Sequence, residues 1–117
     1  MKKIYHLSTC STCQRIIRDL GCLHGFEFQD IKTQNISADE LDKIAEKIGR
    51  YEDLFSRRAM KFRSMGLHEE SLSEEDYRKL ILEEYTFLKR PVIIIGDTIT
   101  VGNSKKEVEK ARIALQL

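Results

Sequence analysis

The amino-acid sequence predicts an α/β fold with a mixed four-stranded sheet. Three observations support this prediction: a β-α-β pattern at the start, a highly charged helical stretch in the middle, and a β-β-α pattern at the end. The 117 residues are enough for one compact domain and too few for two ordinary ones. We therefore expect a single domain, 1–117, with a core from about 1–33 and 86–117 and a helical insert at about 34–85.

The β-α-β pattern begins with β-prone residues 2–7. Apolar side chains then recur at the helical positions i, i+3, i+4 and i+7, namely Cys13, Ile16, Ile17 and Leu20. Gly21 stands at the end of this stripe, where helices commonly stop. Residues 26–31 alternate apolar and polar, which is typical of a half-buried strand.

The middle of the chain carries helix-start motifs. Ser37 with Glu40 forms a capping-box pattern, and Ser73 with Asp76 gives a second start signal. An apolar stripe follows the first of them, consisting of Leu41, Ile44, Ala45 and Ile48. Residues 51–65 mix apolar and charged side chains and predict short helices.

The end of the chain reads as a hairpin and a helix. Pro91 opens the β-branched run 92–95, and a Gly-Asp turn leads into residues 98–101. Ser104, with Glu107 completing a capping box, predicts the final helix. This order of elements is a thioredoxin-like arrangement with a helical insert.

Composition excludes several function classes. The sequence is 41% hydrophobic and 33% charged, and no apolar run approaches the roughly 20 residues of a membrane span. The N-terminal apolar run is broken at Ser8 and Thr9, so we expect no signal peptide, a cytoplasmic location and no membrane partner. Twenty basic and nineteen acidic residues argue against direct nucleic-acid binding, but not against a local pocket for a small anion.

The chemistry is predicted at Cys10-Ser11-Thr12-Cys13, where the first strand gives way to the first helix. Backbone N–H groups without partners and the positive end of the helix dipole stabilise a thiolate at such a position. Cys10 is therefore the predicted nucleophile. Cys13 lies on the apolar stripe and is predicted to be the more buried, resolving thiol, which attacks a mixed disulfide at Cys10.

Other interpretations of the cysteines stay open. A C-x-x-C pair is half of a zinc site, but no second Cys or His pair follows at ligand spacing, and we expect no metal. Cys13 is also compatible with a plain core position. Cys22 has no partner in the sequence, and we interpret it as a semi-buried structural residue.

Basic residues gather in two places. One is a segment consisting of Arg57, Arg58, Lys61 and Arg63, most of which we interpret as a solvated basic face with one member reaching the active cleft. The other is Arg90, directly before Pro91. In thioredoxin-like folds the proline at this place is usually cis and lies beside the active cysteine, which would direct Arg90 toward Cys10 to favour the thiolate and bind an oxyanion. His6 is a candidate for tuning the thiol, with a hydrogen-bonded strand residue as the alternative.

Together these segments resemble the arsenate reductase / Spx family of glutaredoxin-like proteins. The matching segments are Tyr5-His6 with Cys10-Ser11-Thr12-Cys13-Gln14-Arg15, Ser56-Arg57-Arg58-Ala59 with Phe62-Arg63-Ser64-Met65-Gly66-Leu67, and Lys89-Arg90-Pro91-Val92-Ile93-Ile94. The resemblance covers essentially the whole chain.

The resemblance implies a thioredoxin fold with Cys10 as nucleophile. In the family's arsenate reductases that cysteine attacks arsenate, three arginines bind the oxyanion, and glutathione with glutaredoxin completes the reduction. Arg58 and Arg90 match two of these arginines, whereas the segment expected to hold the third reads Val101-Gly102-Asn103. Cys13 stands where those reductases commonly have serine, and the C-x-x-C is more similar to the Spx branch.

Two functions follow from the resemblance. The first is a thiol oxidoreductase with no bound cofactor and glutathione as co-substrate, acting on a glutathione adduct, a protein disulfide or a small oxyanion. The alternative is an Spx-like transcription regulator, in which a Cys10–Cys13 disulfide switches binding to RNA polymerase.

Overall fold

The computed structural model describes residues 1–21 and 23–116, so Cys22 lies outside the described residues. The strands in this part of the chain are β1 (Lys2–His6), β2 (Glu27–Asp30), β3 (Val92–Ile95) and β4 (Thr98–Val101). The α-helices are α1 (Ser11–Leu20), α2 (Ala38–Ile48), α3 (Met60–Ser64), α4 (Glu74–Glu83) and α5 (Lys105–Leu115). Short 3₁₀ helices span Glu52–Leu54, Leu67–Glu69 and Tyr85–Phe87. None of the helices described is long and apolar enough to cross a membrane.

The sheet has the strand order β2-β1-β3-β4. β1 runs parallel to β2 and antiparallel to β3, and β3 and β4 form an antiparallel pair. The predicted α/β fold with a mixed four-stranded sheet is therefore confirmed for the described residues.

The chain divides into two compact units. The single domain 1–117, with its core and helical insert at the bounds given above, stays a prediction. The first unit comprises Met1–Gln34 and Arg90–Leu117 and contains the whole sheet with α1 and α5. Its core centres on the buried side chains of Ile4, Ile93 and Ala111, against which partly buried apolar side chains of α1 pack. Burial of this apolar surface holds the two sequence segments of the unit together.

The second unit, Asn35–Lys89, is helical and has an aromatic core. The Phe55 ring stacks on Phe87 at a centroid distance of 4.9 Å and contacts Tyr77 at the same distance. The backbone of this segment also pairs with the end of the unit, since the Ser56 N–H donates to the Phe87 carbonyl at 2.7 Å.

Two helix starts have the predicted capping boxes. Ser37 accepts the Glu40 N–H while Glu40 accepts the Ser37 N–H, and Ser73 and Asp76 exchange the same bonds. The third box is only half formed, which corrects the prediction for α5. Ser104 accepts the Glu107 N–H, but the Glu107 carboxylate accepts the N–H of Val101, at the end of β4, at 2.9 Å.

The apolar alternation of β2 predicts the wrong buried side chain. Phe28 is 46% exposed, whereas Gln29 is 7% exposed and donates its amide to the Gln34 carbonyl at 2.9 Å. β2 lies at the edge of the sheet, where Phe28 makes an edge contact with the His6 ring at 5.8 Å. A satisfied hydrogen bond removes the usual penalty for burying the amide.

Candidate active site

Cys10 is the N-cap residue of α1 and is partly exposed. Its backbone is extended, with φ −94° and ψ 106°, and its side chain makes no capping hydrogen bond. Its N–H donates to the Leu7 carbonyl and its carbonyl accepts the Gln14 N–H, both at 3.0 Å. The backbone of Cys10 is thus fixed while its thiol is left available at the positive end of the helix.

Cys13 is fully buried on the inner face of α1, which confirms that it is the less accessible of the two thiols. Burial raises the pKa of Cys13 to about 11, and the negative charges of Cys10 and Asp30 act in the same direction. A hydrogen bond from the Leu7 backbone and the positive charge of Arg90 oppose this rise in pKa. Cys13 is therefore protonated at neutral pH, and both cysteines are free thiols in the structure.

Arg90 and Pro91 belong to the same unit as the two cysteines. The Arg90–Pro91 peptide bond is cis. Arg90 is half-buried, and its positive charge lowers the pKa of the Cys13 thiol. The placement of Pro91 beside Cys10 and the binding of an anion by Arg90 stay predictions.

A polar network surrounds the loop that leads into α1. Gln14 Nε2 donates to the Leu7 carbonyl at 2.9 Å and lies 3.2 Å from His6 Nδ1. His6 is therefore a strand residue with a hydrogen-bond partner, which was one of its two interpretations. Sequence analysis missed Gln14, and the only signal for it was an amide side chain in the first turn of α1.

Asp30 connects the same loop to the end of β2. Hydrogen bonding to Ser8 is the main cause that lowers the pKa of Asp30, and the Lys32 N–H also donates to its carboxylate. The carboxylate accepts the Ser8 N–H at 3.3 Å. Asp30 is thus a charged anchor for the loop before Cys10, and sequence reasoning missed this residue too.

The basic segment of the second unit splits into paired and unpaired residues. Arg57 donates to Glu52 at 2.6 Å and to the Tyr77 hydroxyl at 2.9 Å, and Lys61 pairs with Glu84 at 2.6 Å. Arg58 lies in the exposed turn before α3. Within residues 35–89, all of which the structure describes, Arg58 forms no hydrogen bond or ion pair. Its role as an anion ligand stays a prediction.

Comparison with protein families identifies the chain. The model of the ArsC family matches residues 5–111. The chain belongs to the ArsC family. A relative from Bacillus subtilis (strain 168), the uncharacterized protein YusI, is 30% identical over 111 residues, covering 91% of this chain and 93% of the relative.

This ArsC-family chain is also similar to a transcriptional regulator and to a protein of solved structure. The global transcriptional regulator Spx 2 of Bacillus anthracis is 23% identical, over 94% of this chain and 86% of that protein. The solved structure of the YFFB (PA3664) protein aligns with a TM-score of 0.80 and 23% identity, covering 98% of this chain and 99% of the other. The structural match supports the fold that the family implies.

The site of this ArsC-family chain combines an accessible thiol with a buried one on the same helix turn. Thiol exchange needs a nucleophilic sulfur, a second sulfur able to reach the first, and nearby positive charge. Cys10, Cys13 and Arg90 belong to one unit, and Cys10 is the more exposed of the two thiols. Across residues 1–21 and 23–116, no group of three His, Cys, Asp or Glu side chains is arranged to hold a metal ion.

Proposed function

We propose that this ArsC-family chain is a thiol oxidoreductase in which Cys10 is the nucleophile and Cys13 the resolving thiol. The contrast between the two sulfurs is the observation that carries the proposal. Cys10 is partly exposed at the start of α1, whereas Cys13 is fully buried three residues later. A thiol that stays protonated until a mixed disulfide forms beside it suits the second step of thiol exchange.

The two steps balance as ordinary thiol–disulfide exchange. The Cys10 thiolate attacks one sulfur of a substrate disulfide or glutathione adduct, the substrate S–S bond breaks, and the first substrate thiol leaves with a proton. Cys13 then loses its proton and its sulfur bonds to Cys10, which releases the second substrate thiol. Two glutathione molecules reduce the Cys10–Cys13 disulfide and leave as glutathione disulfide.

Positive charge supports a substrate with an anionic group. Arg90 belongs to the unit that holds the cysteines, and Arg58 is exposed and unpaired within its own unit. An arginine fork binds carboxylates and oxyanions through two parallel hydrogen bonds. We propose Arg90 as a ligand for a carboxylate of glutathione or, in an arsenate-reducing reaction, for the oxyanion, and Arg58 as a further candidate for an anionic group of the substrate.

A turnover assay tests this proposal. Glutathione, glutathione reductase and NADPH are supplied with a glutathione-linked mixed disulfide as substrate, and parallel reactions contain arsenate instead. We expect turnover with the mixed disulfide that Cys10→Ser abolishes, and arsenate-dependent NADPH use if the oxyanion is also a substrate. The enzyme proposal is overturned if no thiol donor supports turnover while Cys10 remains open to alkylation.

A second candidate function comes from the match to Spx 2. That protein is described as a global transcriptional regulator and aligns with nearly all of this chain. In this alternative the Cys10–Cys13 disulfide alters a surface that binds RNA polymerase, and no turnover occurs. Capture of RNA polymerase from lysate only by the oxidised protein would favour it, and recovery of no polymerase subunit in either redox state would count against it.

A further inference from the structure

β4 is the last strand in the order β2-β1-β3-β4, so one of its sides is an open edge of the described sheet. Backbone N–H and C=O groups on such an edge are a template for pairing with a strand of another chain. We propose that Glu107 and Lys110 of α5 keep this edge closed, and that the partner they exclude is a second copy of the chain. The inference goes beyond the proposed function and does not depend on it.

The register of the β3–β4 pair defines which backbone groups lie on the open edge. The Gly102 N–H donates to the Pro91 carbonyl at 2.9 Å, so these two residues form a hydrogen-bonded pair. In an antiparallel ladder such pairs alternate with pairs that exchange no hydrogen bonds. Val101 and Ile99 therefore direct their backbone N–H and C=O groups away from β3, whereas Thr100 bonds to it.

Two of the four outward backbone groups are bound by α5. The Glu107 carboxylate accepts the Val101 N–H at 2.9 Å, and Lys110 Nζ donates to the Ile99 carbonyl at 3.4 Å. Glu107 and Lys110 are three positions apart and therefore lie on the same side of the helix. One supplies an acceptor and the other a donor, so each matches the backbone group that it binds. A strand that adds to this edge has to displace both side chains.

The other edge of the sheet has charges within its own strand. β2 begins with Glu27 and ends with Asp30. In an antiparallel pair of two β2 strands, Glu27 of one chain would lie opposite Asp30 of the other, and like charges directly opposite each other destabilise a sheet. β4 consists of threonine, isoleucine and valine and has no charged side chain. The charges at the β4 edge therefore come from outside the strand, from α5.

β4 is complementary to a second copy of itself. When two antiparallel β4 strands are centred on Thr100, Ile99 of each chain lies opposite Val101 of the other. This register uses the outward N–H and C=O groups of both residues in both chains. Pairs of β-branched side chains across neighbouring strands also favour a sheet. The arrangement closes at two chains, because both use the same edge.

Light scattering of the reduced full-length protein over a range of concentrations tests the proposal. Glu107→Ala combined with Lys110→Ala removes both edge contacts and leaves the net charge unchanged. We expect this double variant to form dimers, with a Kd for self-association at least about tenfold lower than that of the reference protein. The control is Lys106→Ala combined with Glu109→Ala, which removes one base and one acid from exposed positions of α5. The control and the reference protein should be monomeric.

Hydrogen exchange of backbone amides, followed by NMR, locates the contact. In the reference protein the Val101 N–H should exchange about fivefold more slowly than the Ile99 N–H after correction for intrinsic rates. Glu107 accepts the Val101 N–H, whereas the outward Ile99 N–H has no side-chain acceptor among the described residues. Dimer formation by the double variant should slow the exchange of both amides.

The proposal is overturned if the folded double variant stays monomeric, if the control dimerises equally, or if the reference protein is already a dimer paired through β4. Equal exchange at Val101 and Ile99 in the reference protein also overturns it, and this result needs no variant that has to fold. A dimer or larger assembly of the double variant that leaves the exchange of both amides unchanged uses another surface and contradicts the proposal as well.

Discussion

Cys10 and Cys13 are the same residue type three positions apart, yet they occupy opposite environments. The helix begins between them, so one sulfur lies at the cap and the other on the buried face of α1. Burial is the main cause that raises the pKa of Cys13, and it acts on a side chain with no solvent exposure. Their positions around the start of α1 therefore give the two thiols different exposure to solvent and give Cys13 a raised pKa.

The raised pKa of Cys13 predicts a loss of stability in alkaline solution. The thiol titrates near its ordinary value of 9.0 when the chain is unfolded and at about 11 when it is folded. Between these values the unfolded chain has lost the proton and the folded chain retains it, so the free energy of unfolding falls as the pH rises. We expect a contribution of roughly 2 kcal/mol across this window, measured by urea denaturation of the reduced protein. Cys13→Ala, which has no titrating group there, should show a correspondingly smaller fall; an equal fall would contradict the assignment.

Two neighbouring arginines are predicted to behave differently. Arg58→Gln should raise the KM for the glutathione-linked substrate by about fivefold, because it removes a proposed ligand of an anionic group and disturbs no ion pair in its unit. Arg57→Gln should instead lower the free energy of unfolding by about 1 kcal/mol with little effect on KM, because Arg57 binds Glu52 and Tyr77. Steady-state kinetics and urea denaturation of both variants provide the test. An unchanged KM in Arg58→Gln would remove that residue from the site.

The residues of the candidate site differ in whether the sequence alone could predict them. Cys10 and Cys13 are visible in the sequence because their spacing relative to the apolar stripe is local information. The hydrogen bonds of Gln14 could not be predicted from the sequence, because they depend on the direction of the Leu7 carbonyl and the closeness of His6, which only the folded backbone defines. Asp30 is likewise brought to Ser8 by the pairing of β1 and β2.

Among the elements, helix starts were the most predictable features. The capping boxes of α2 and α4 each depend on two residues three positions apart, and both form as predicted. The box of α5 is incomplete because the Val101 N–H, from a different element, takes the Glu107 carboxylate. The prediction of which side chain of β2 is buried was wrong for a related reason, because partners outside the strand decide which side chain is covered.

The capping box of α2 gives a prediction at this scale. Ser37→Ala removes the acceptor for the Glu40 N–H and should lower the free energy of unfolding by about 1 kcal/mol. Ser71→Ala, an exposed serine outside any helix, is the matched control and should change it by less than about 0.5 kcal/mol. Urea denaturation measures both. Equal stability of the two variants would mean that the cap does not contribute.

At the scale of the whole molecule, the chain is an α/β unit made of its two ends and a helical unit made of its middle. The change from β-rich ends to a charged helical middle is visible in composition and periodicity, which is why the order of elements was predictable. The side-chain packing inside each unit was not, because it depends on contacts between residues far apart in sequence. The stacking of Phe55 on Phe87 is one such contact.

The aromatic core of the second unit predicts a large effect of one substitution. Phe55 is fully buried against three aromatic rings, so Phe55→Ala leaves a cavity and should cost about 3–5 kcal/mol of unfolding free energy. Phe28→Ala, the same change at the exposed edge of the sheet, should cost less than about 1 kcal/mol. Thermal and urea unfolding of both variants decide the matter, and a cost for Phe55→Ala no greater than that for Phe28→Ala would contradict the packing described.

A redox titration shows whether Cys10 and Cys13 act as a pair. The protein is equilibrated in buffers of different ratios of reduced to oxidised glutathione, quenched with acid, alkylated, and mapped by mass spectrometry of its peptides. We expect oxidation to join Cys10 to Cys13 in a single two-electron transition, and a glutathione adduct on Cys10 to accumulate in Cys13→Ser. Two thiols that remain unlinked at every ratio, or that take up glutathione independently of each other, would contradict it.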